Sequence, residues 1–212
     1  MQYSFTALTL GALSAVVLSN PLPPASPGPV APKPFGLIAI HSTTHIHNQA
    51  INAHDGKFYI GKPTLAYCPD VVKPCPKGDF TSFTVAEYNK AGYLGMDVAV
   101  PGGQYAYVAS SGALLLTVPH SNAIPTGAQD DRFVLDKESQ HLQFQSKALV
   151  KNASPWLACP LEKEPDVYQV FANTGKSGIQ GCIDFEARMP PIPEGVLLDS
   201  PAAWQYESSS AS

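Results

Sequence analysis

The chain has 212 residues, a length that suits one domain with tails, and a formal net charge of −4 with charged residues at only 14%. The charges are spread without long runs, so the basic patch that displaces counterions from a nucleic acid is missing and that class of partner is not expected. After the N-terminal stretch no second apolar run reaches about 18 residues, so the mature chain is not expected to span a membrane.

Residues Phe5 through Leu18 carry no charge and are mostly apolar or small. That length suits the core of a signal peptide and is too short for a bilayer span. Only the amino terminus supplies positive charge ahead of it. Val17-Leu18-Ser19 puts compact residues where a signal peptidase reads, so residues 1–19 are expected to be removed after Ser19. Residues 20–34 follow as a linker that holds seven prolines, Pro21, Pro23, Pro24, Pro27, Pro29, Pro32 and Pro34. Proline density of this kind precludes helix and sheet ladders and predicts an extended, solvated spacer.

The folded domain is expected over residues 35–190. Short β-rich segments recur there between turn signals: Phe35–Ile40, Lys57–Ile60, Phe80–Val85, Met96–Val100, Gln104–Val108, Ala113–Val118, Arg132–Leu135, Leu142–Gln145, Val167–Ala172 and Ile183–Ala187. In His141-Leu142-Gln143-Phe144-Gln145 the apolar side chains fall on one face, and in Ile183-Asp184-Phe185-Glu186-Ala187 the two acids face away from the apolar set. Asp55-Gly56, Pro101-Gly102-Gly103, Ser111-Gly112 and Pro125-Thr126-Gly127 supply the turns. A helical turn or two is the most that Val85 to Ala91 would form. Strands without intervening helices predict an all-β fold, an antiparallel β-sandwich or barrel. A faint echo between residues 55–60 and 111–116 keeps a β-trefoil as the alternative. Residues 191–212 read as a polar, Ser-rich tail without the hydrophobic end of a lipid-anchor signal.

The four cysteines, Cys68, Cys75, Cys159 and Cys182, are an even set behind an export signal and predict two disulfides. Three pairings exist. Cys68–Cys75 with Cys159–Cys182 is favoured because each closes a local loop and the two pairs lie far apart in sequence. The spacings fit zinc patterns poorly.

Four groups of residues bear on chemistry. His41, His45, His47 and His54 form the densest polar cluster, and on a strand His45 and His47 would share one face as a pair of metal ligands. No third ligand joins them in the pattern, so no metal and no cofactor is expected. Asp184 and Glu186, with Asp97 and Glu138 as further acids, offer the two carboxylates of a glycan hydrolase, although solvated acids opposite a core are the ordinary reading. No nucleophile elbow or phosphate loop is present, and no catalytic residue is assigned. Tyr105 and Tyr107 alternate onto one face of a strand, with Tyr59, Tyr67, Tyr88, Tyr93, Trp156 and Trp204 elsewhere; such rings are candidates for stacking on sugar, although aromatics mostly fill cores. Asn152-Ala153-Ser154 is the single N-glycosylation sequon, with Pro155 directly behind it.

Ordered blocks along the chain complete the reading: 35–42, Ile46-His47, 51–53, 57–61, Tyr67-Cys68-Pro69, Cys75-Pro76, Met96 through Gln104, Tyr107-Val108, 111–114, His120-Ser121, Leu157 through Pro160, and Tyr168 through Ala172. Together they resemble the fungal phialide cell-wall proteins of the PhiA type, some described as IgE-binding allergens, from about Phe35 to Ala187. The resemblance implies a secreted, cell-wall-associated, non-enzymatic protein with a part in phialide and conidium formation and in stress protection. It carries no catalytic residues, and it implies IgE as a partner. A carbohydrate-binding module for wall polysaccharide, suggested by Tyr105 and Tyr107, and a glycan hydrolase are the alternatives.

Overall fold

The computed structural model describes residues 32–146, 154–175, 178–190 and 200–208. The expected export signal, most of the Pro-rich linker and Asn152 of the sequon lie outside the described residues. Among the described residues there is no helix; residues 85–91 run through bends and turns.

The described strands are β1 (Ile38–Ile40), β2 (Ile51–His54), β3 (Lys57–Ile60), β4 (Ala66–Tyr67), β5 (Phe83–Thr84), β6 (Leu94–Met96), β7 (Tyr105–Val108), β8 (Leu114–Leu116), β9 (Phe133–Leu135), β10 (His141–Phe144), β11 (Trp156–Leu161), β12 (Glu164–Ala172), β13 (Ile183–Arg188) and β14 (Gln205–Tyr206). All but β4 and β14 join one antiparallel sheet, whose main path runs β5-β6-β7-β8-β3-β12-β11-β13-β10-β9, with β1 added on β13 and β2 on β3. Gly92 and Phe133 then exchange backbone hydrogen bonds of 3.0 and 3.1 Å, which brings β9, at one end of the path, to the chain just before β6, near the other. The sheet is therefore rolled until its ends meet, as a barrel requires. Its connections do not repeat three times, so the trefoil alternative is set aside.

Local chemistry explains the hairpins. Asp55 and Gly56 both take positive φ, 48° and 73°, the conformation of the two-residue turn whose twist matches the strands it joins, β2 and β3. The β9–β10 turn is held by Asp136, whose carboxylate accepts from the backbone N–H groups of Glu138 and Ser139 and from the Ser139 hydroxyl.

Inside the roll lie the alternate side chains of these strands. Phe58 and Phe35 stack on Phe83, and Trp156 stacks on Phe133 at 11° between ring planes while its indole N–H donates to the Leu142 carbonyl at 2.7 Å. Full burial of side chains of this size contributes about 1.5–3 kcal/mol each. Disulfides join Cys68 to Cys75 and Cys159 to Cys182. The second ties neighbouring strands, since Ala158 on β11 faces Ile183 on β13.

The reading of residues 191–212 as a polar tail is corrected over residues 200–207. Ala202, Ala203 and Tyr206 are buried, and β14 pairs with β4. The Tyr206 hydroxyl accepts from the Ser82 N–H at 2.9 Å and donates to the Phe80 carbonyl at 3.0 Å. Its backbone N–H donates to the side-chain oxygen of buried Gln104 at 2.8 Å, and its carbonyl accepts from the amide nitrogen of the same side chain at 3.0 Å. Serine-rich surroundings had masked a short plug of small and aromatic residues.

Two stability predictions follow from this wiring. Tyr206→Phe strands the Ser82 N–H in a buried place and is expected to cost about 1–3 kcal/mol, read as a lower urea midpoint with unchanged slope; an unchanged midpoint would show that the hydroxyl contributes nothing. Replacing both Cys159 and Cys182 by Ala is expected to cost about 2–4 kcal/mol, measured under the same denaturant titration.

Candidate functional site

A recess with mixed chemistry lies on the outer face of the β6–β7–β8 meander. Leu94 faces Ala106 and Ala106 faces Leu116 across these strands, and all three point inward. The pleat then turns their neighbours Tyr93, Tyr105 and Thr117 to the other face. Tyr105 lies opposite Gly95, whose missing side chain leaves room for the Thr84 hydroxyl: a Cβ there would meet that oxygen at 2.6 Å, while the Tyr105 ring at 3.8 Å is in ordinary contact range. Tyr93, 57% exposed, meets Tyr105 edge to face, with centroids 6.2 Å apart and planes at 69°.

These two rings, with Thr117, Asn122 and Asp130, line a cavity of about 350 Å³. Asp130 is delivered by a separate loop, fixed where Gln129 exchanges backbone hydrogen bonds of 2.8 and 2.9 Å with Val108 at the end of β7. The floor is set from inside. The Tyr105 N–H donates to the Thr117 hydroxyl at 2.9 Å, and the Gln104 side chain donates to the Thr117 carbonyl at 3.2 Å. Rings beside an amide and a carboxylate can stack on the apolar face of a sugar while accepting from its hydroxyls.

The model of the PhiA-like secreted protein family matches residues 35–207, which is most of the chain and includes the C-terminal plug. The chain belongs to the PhiA-like secreted protein family. A protein of the fungus Arthroderma benhamiae, described as an uncharacterized secreted protein, is 31% identical over 209 residues, covering 94% of this chain and 97% of its own length. No solved structure matches. Family and relative together make this a secreted fungal protein, which accords with its two disulfides.

The other residues singled out in the sequence of this PhiA-like protein are scattered by the fold. Tyr107 stays on the outer face, where burial pushes its phenol up, but it is not among the described residues lining the pocket; Tyr93 takes that place. Trp156 and Tyr59 are buried, and Trp204 lies against Pro74, Pro76 and Pro201 in a separate groove. His45 and His47 sit in a turn and not on a strand, so they do not share a face: the His45 ring bonds the Tyr168 hydroxyl at 2.6 Å, while His47 Nδ1 accepts from the His41 N–H at 3.3 Å. His54 bonds the Pro63 carbonyl. Among the described residues no three of His, Cys, Asp and Glu gather as metal ligands would. Asp97 is buried and accepts from the hydroxyls of Ser82 and Ser200 at 3.4 and 3.0 Å, and Glu138 lies in the exposed β9–β10 turn.

Asp184 and Glu186 do stand side by side on the outward face of β13. Ser154 donates to Asp184 at 3.1 Å and also reaches Glu186; His41 lies 3.8 Å from Asp184, and His141 lies 3.8 Å from Glu186. Desolvation is the largest influence on Glu186 and raises its carboxyl above the ordinary 4.5, against the lowering effects of His141 and Ser154. A carboxyl raised in the folded state favours folding while protonated, and that contribution is lost as pH climbs through its folded value. Glu186→Gln is therefore expected to gain on the wild type in unfolding free energy as pH rises from 4.5 toward neutrality. A difference that stays flat over that interval would contradict the assignment.

Proposed function

We propose that this PhiA-like protein is a non-enzymatic component of the fungal cell wall that holds polysaccharide in the Tyr93–Tyr105 pocket. The observation that carries the reading is the pairing of two accessible tyrosine rings with Asn122 and Asp130 in one recess of sugar size. A rigid sheet supports both rings, so little ordering is needed on binding, which favours affinity. The carboxylates best placed for acid–base work, Asp184 and Glu186, lie on β13, and each is engaged by a histidine and by Ser154. They serve on this reading to knit the outer surface of the roll, not to cleave a bond. The family resemblance adds a role in forming phialides and conidia and in stress protection, which a glycan-holding wall component would serve by reinforcing the coat. Recognition by IgE belongs to the same resemblance.

Pull-down of the secreted chain on insoluble chitin, β-glucan and mannan tests the proposal. Retention on at least one polymer is expected, weakened at least about tenfold in Tyr93→Ala and in Tyr105→Ala, with no reducing sugar released. Failure on all three polymers would overturn glycan binding, and release of sugar by the wild type but not by Glu186→Gln would make the protein a hydrolase.

A further inference from the structure

We infer that the Tyr93–Tyr105 pocket selects a cationic amino sugar, so that its ligand is a partly or fully deacetylated glucosamine polymer; this rests on the glycan-binding reading above. The lining supplies the chemistry. Tyrosine faces carry the negative lobe of the ring quadrupole and attract an ammonium group. Asp130 brings a carboxylate, which only accepts hydrogen bonds when ionised. Asn122 and Thr117 are neutral, and among the described residues that line the pocket none is positive. Arg132, two residues on, is not among the described lining residues and lies 4.0 Å from the Asp131 carboxylate. The chain as a whole carries −4. Uronic acids and phosphorylated glycans are disfavoured by this field, and a protonated amine is drawn into it.

Geometry narrows the ligand further. Rings set at 69° form a corner, so both cannot lie flat on the face of a crystalline polysaccharide. A single chain can place one sugar ring against Tyr105 and turn its amino group toward Asp130. The cavity is near the lower end of the range for ligand sites, roughly 300–1,000 Å³, which suits one or two sugar units and not a long groove.

Calorimetric titration of the full secreted chain with hexamers of glucosamine, N-acetylglucosamine and β-1,3-linked glucose, in mildly acidic buffer, tests the inference. The glucosamine hexamer is expected to bind about tenfold tighter than either neutral hexamer, the advantage that a charge-assisted contact confers. Added salt should shrink that advantage. Asp130→Asn should abolish it, while Asp130→Glu should retain it. Equal affinity for all three hexamers, or a glucosamine preference that survives in Asp130→Asn, would end the amino-sugar inference and leave glycan binding standing. Binding of no hexamer would end both. Thermal unfolding of each variant checks that it is folded.

Discussion

The buried side-chain amide of Gln104 is the joint on which this fold closes. It is 1% exposed and makes three hydrogen bonds: its nitrogen donates to the carbonyls of Thr117 and Tyr206, and its oxygen accepts the Tyr206 N–H. A primary amide placed there without partners would carry a large desolvation cost; fully satisfied, it ties the entry of β7, the end of β8 and the C-terminal β14 into one unit. Tyr206 extends the joint to the chain entering β5 through Ser82 and Phe80. Removing any partner strands a polar group in a dry place, and for that reason the network acts as a whole.

This joint also serves the outer surface. Gln104 precedes Tyr105, and Thr117 stands at once in the Gln104 network and in the lining of the tyrosine pocket. The rings that face solvent are thus held by backbone that is anchored inside. Tyr93 directly precedes β6, the next strand of the meander, where Gly95 lies opposite Tyr105. The pocket is a by-product of strand register, with one loop added to supply Asp130.

The contrast with β13 is instructive. There, Asp184 and Glu186 share a face as alternation requires, but histidines from the loop after β1 and from β10, together with Ser154, surround them. The result is a polar seam across three strands and a loop. His41 lies beside Asp184 and holds His47 through its N–H, while His45 bonds Tyr168 and His54 the Pro63 carbonyl, so the dense His41–His54 stretch does not converge on one site.

Much of the architecture was legible one residue at a time. Alternation in His141–Phe144 and Ile183–Arg188, the Asp55-Gly56 turn and the even cysteine count are local signals, and local sterics and redox chemistry suffice to read them. What alternation cannot supply is which strands become neighbours, because pairing partners such as β3 with β12 are far apart in the chain. The sequence alone therefore determined an exported, disulfide-braced β protein and put Tyr105 on an outward face. Only the tertiary structure decided that Tyr93 and Asp130 would join Tyr105 while Tyr107 would not, and that Ala202, Ala203 and Tyr206 are core. Both outcomes depend on register and on buried hydrogen bonds between distant segments, which composition and period do not encode.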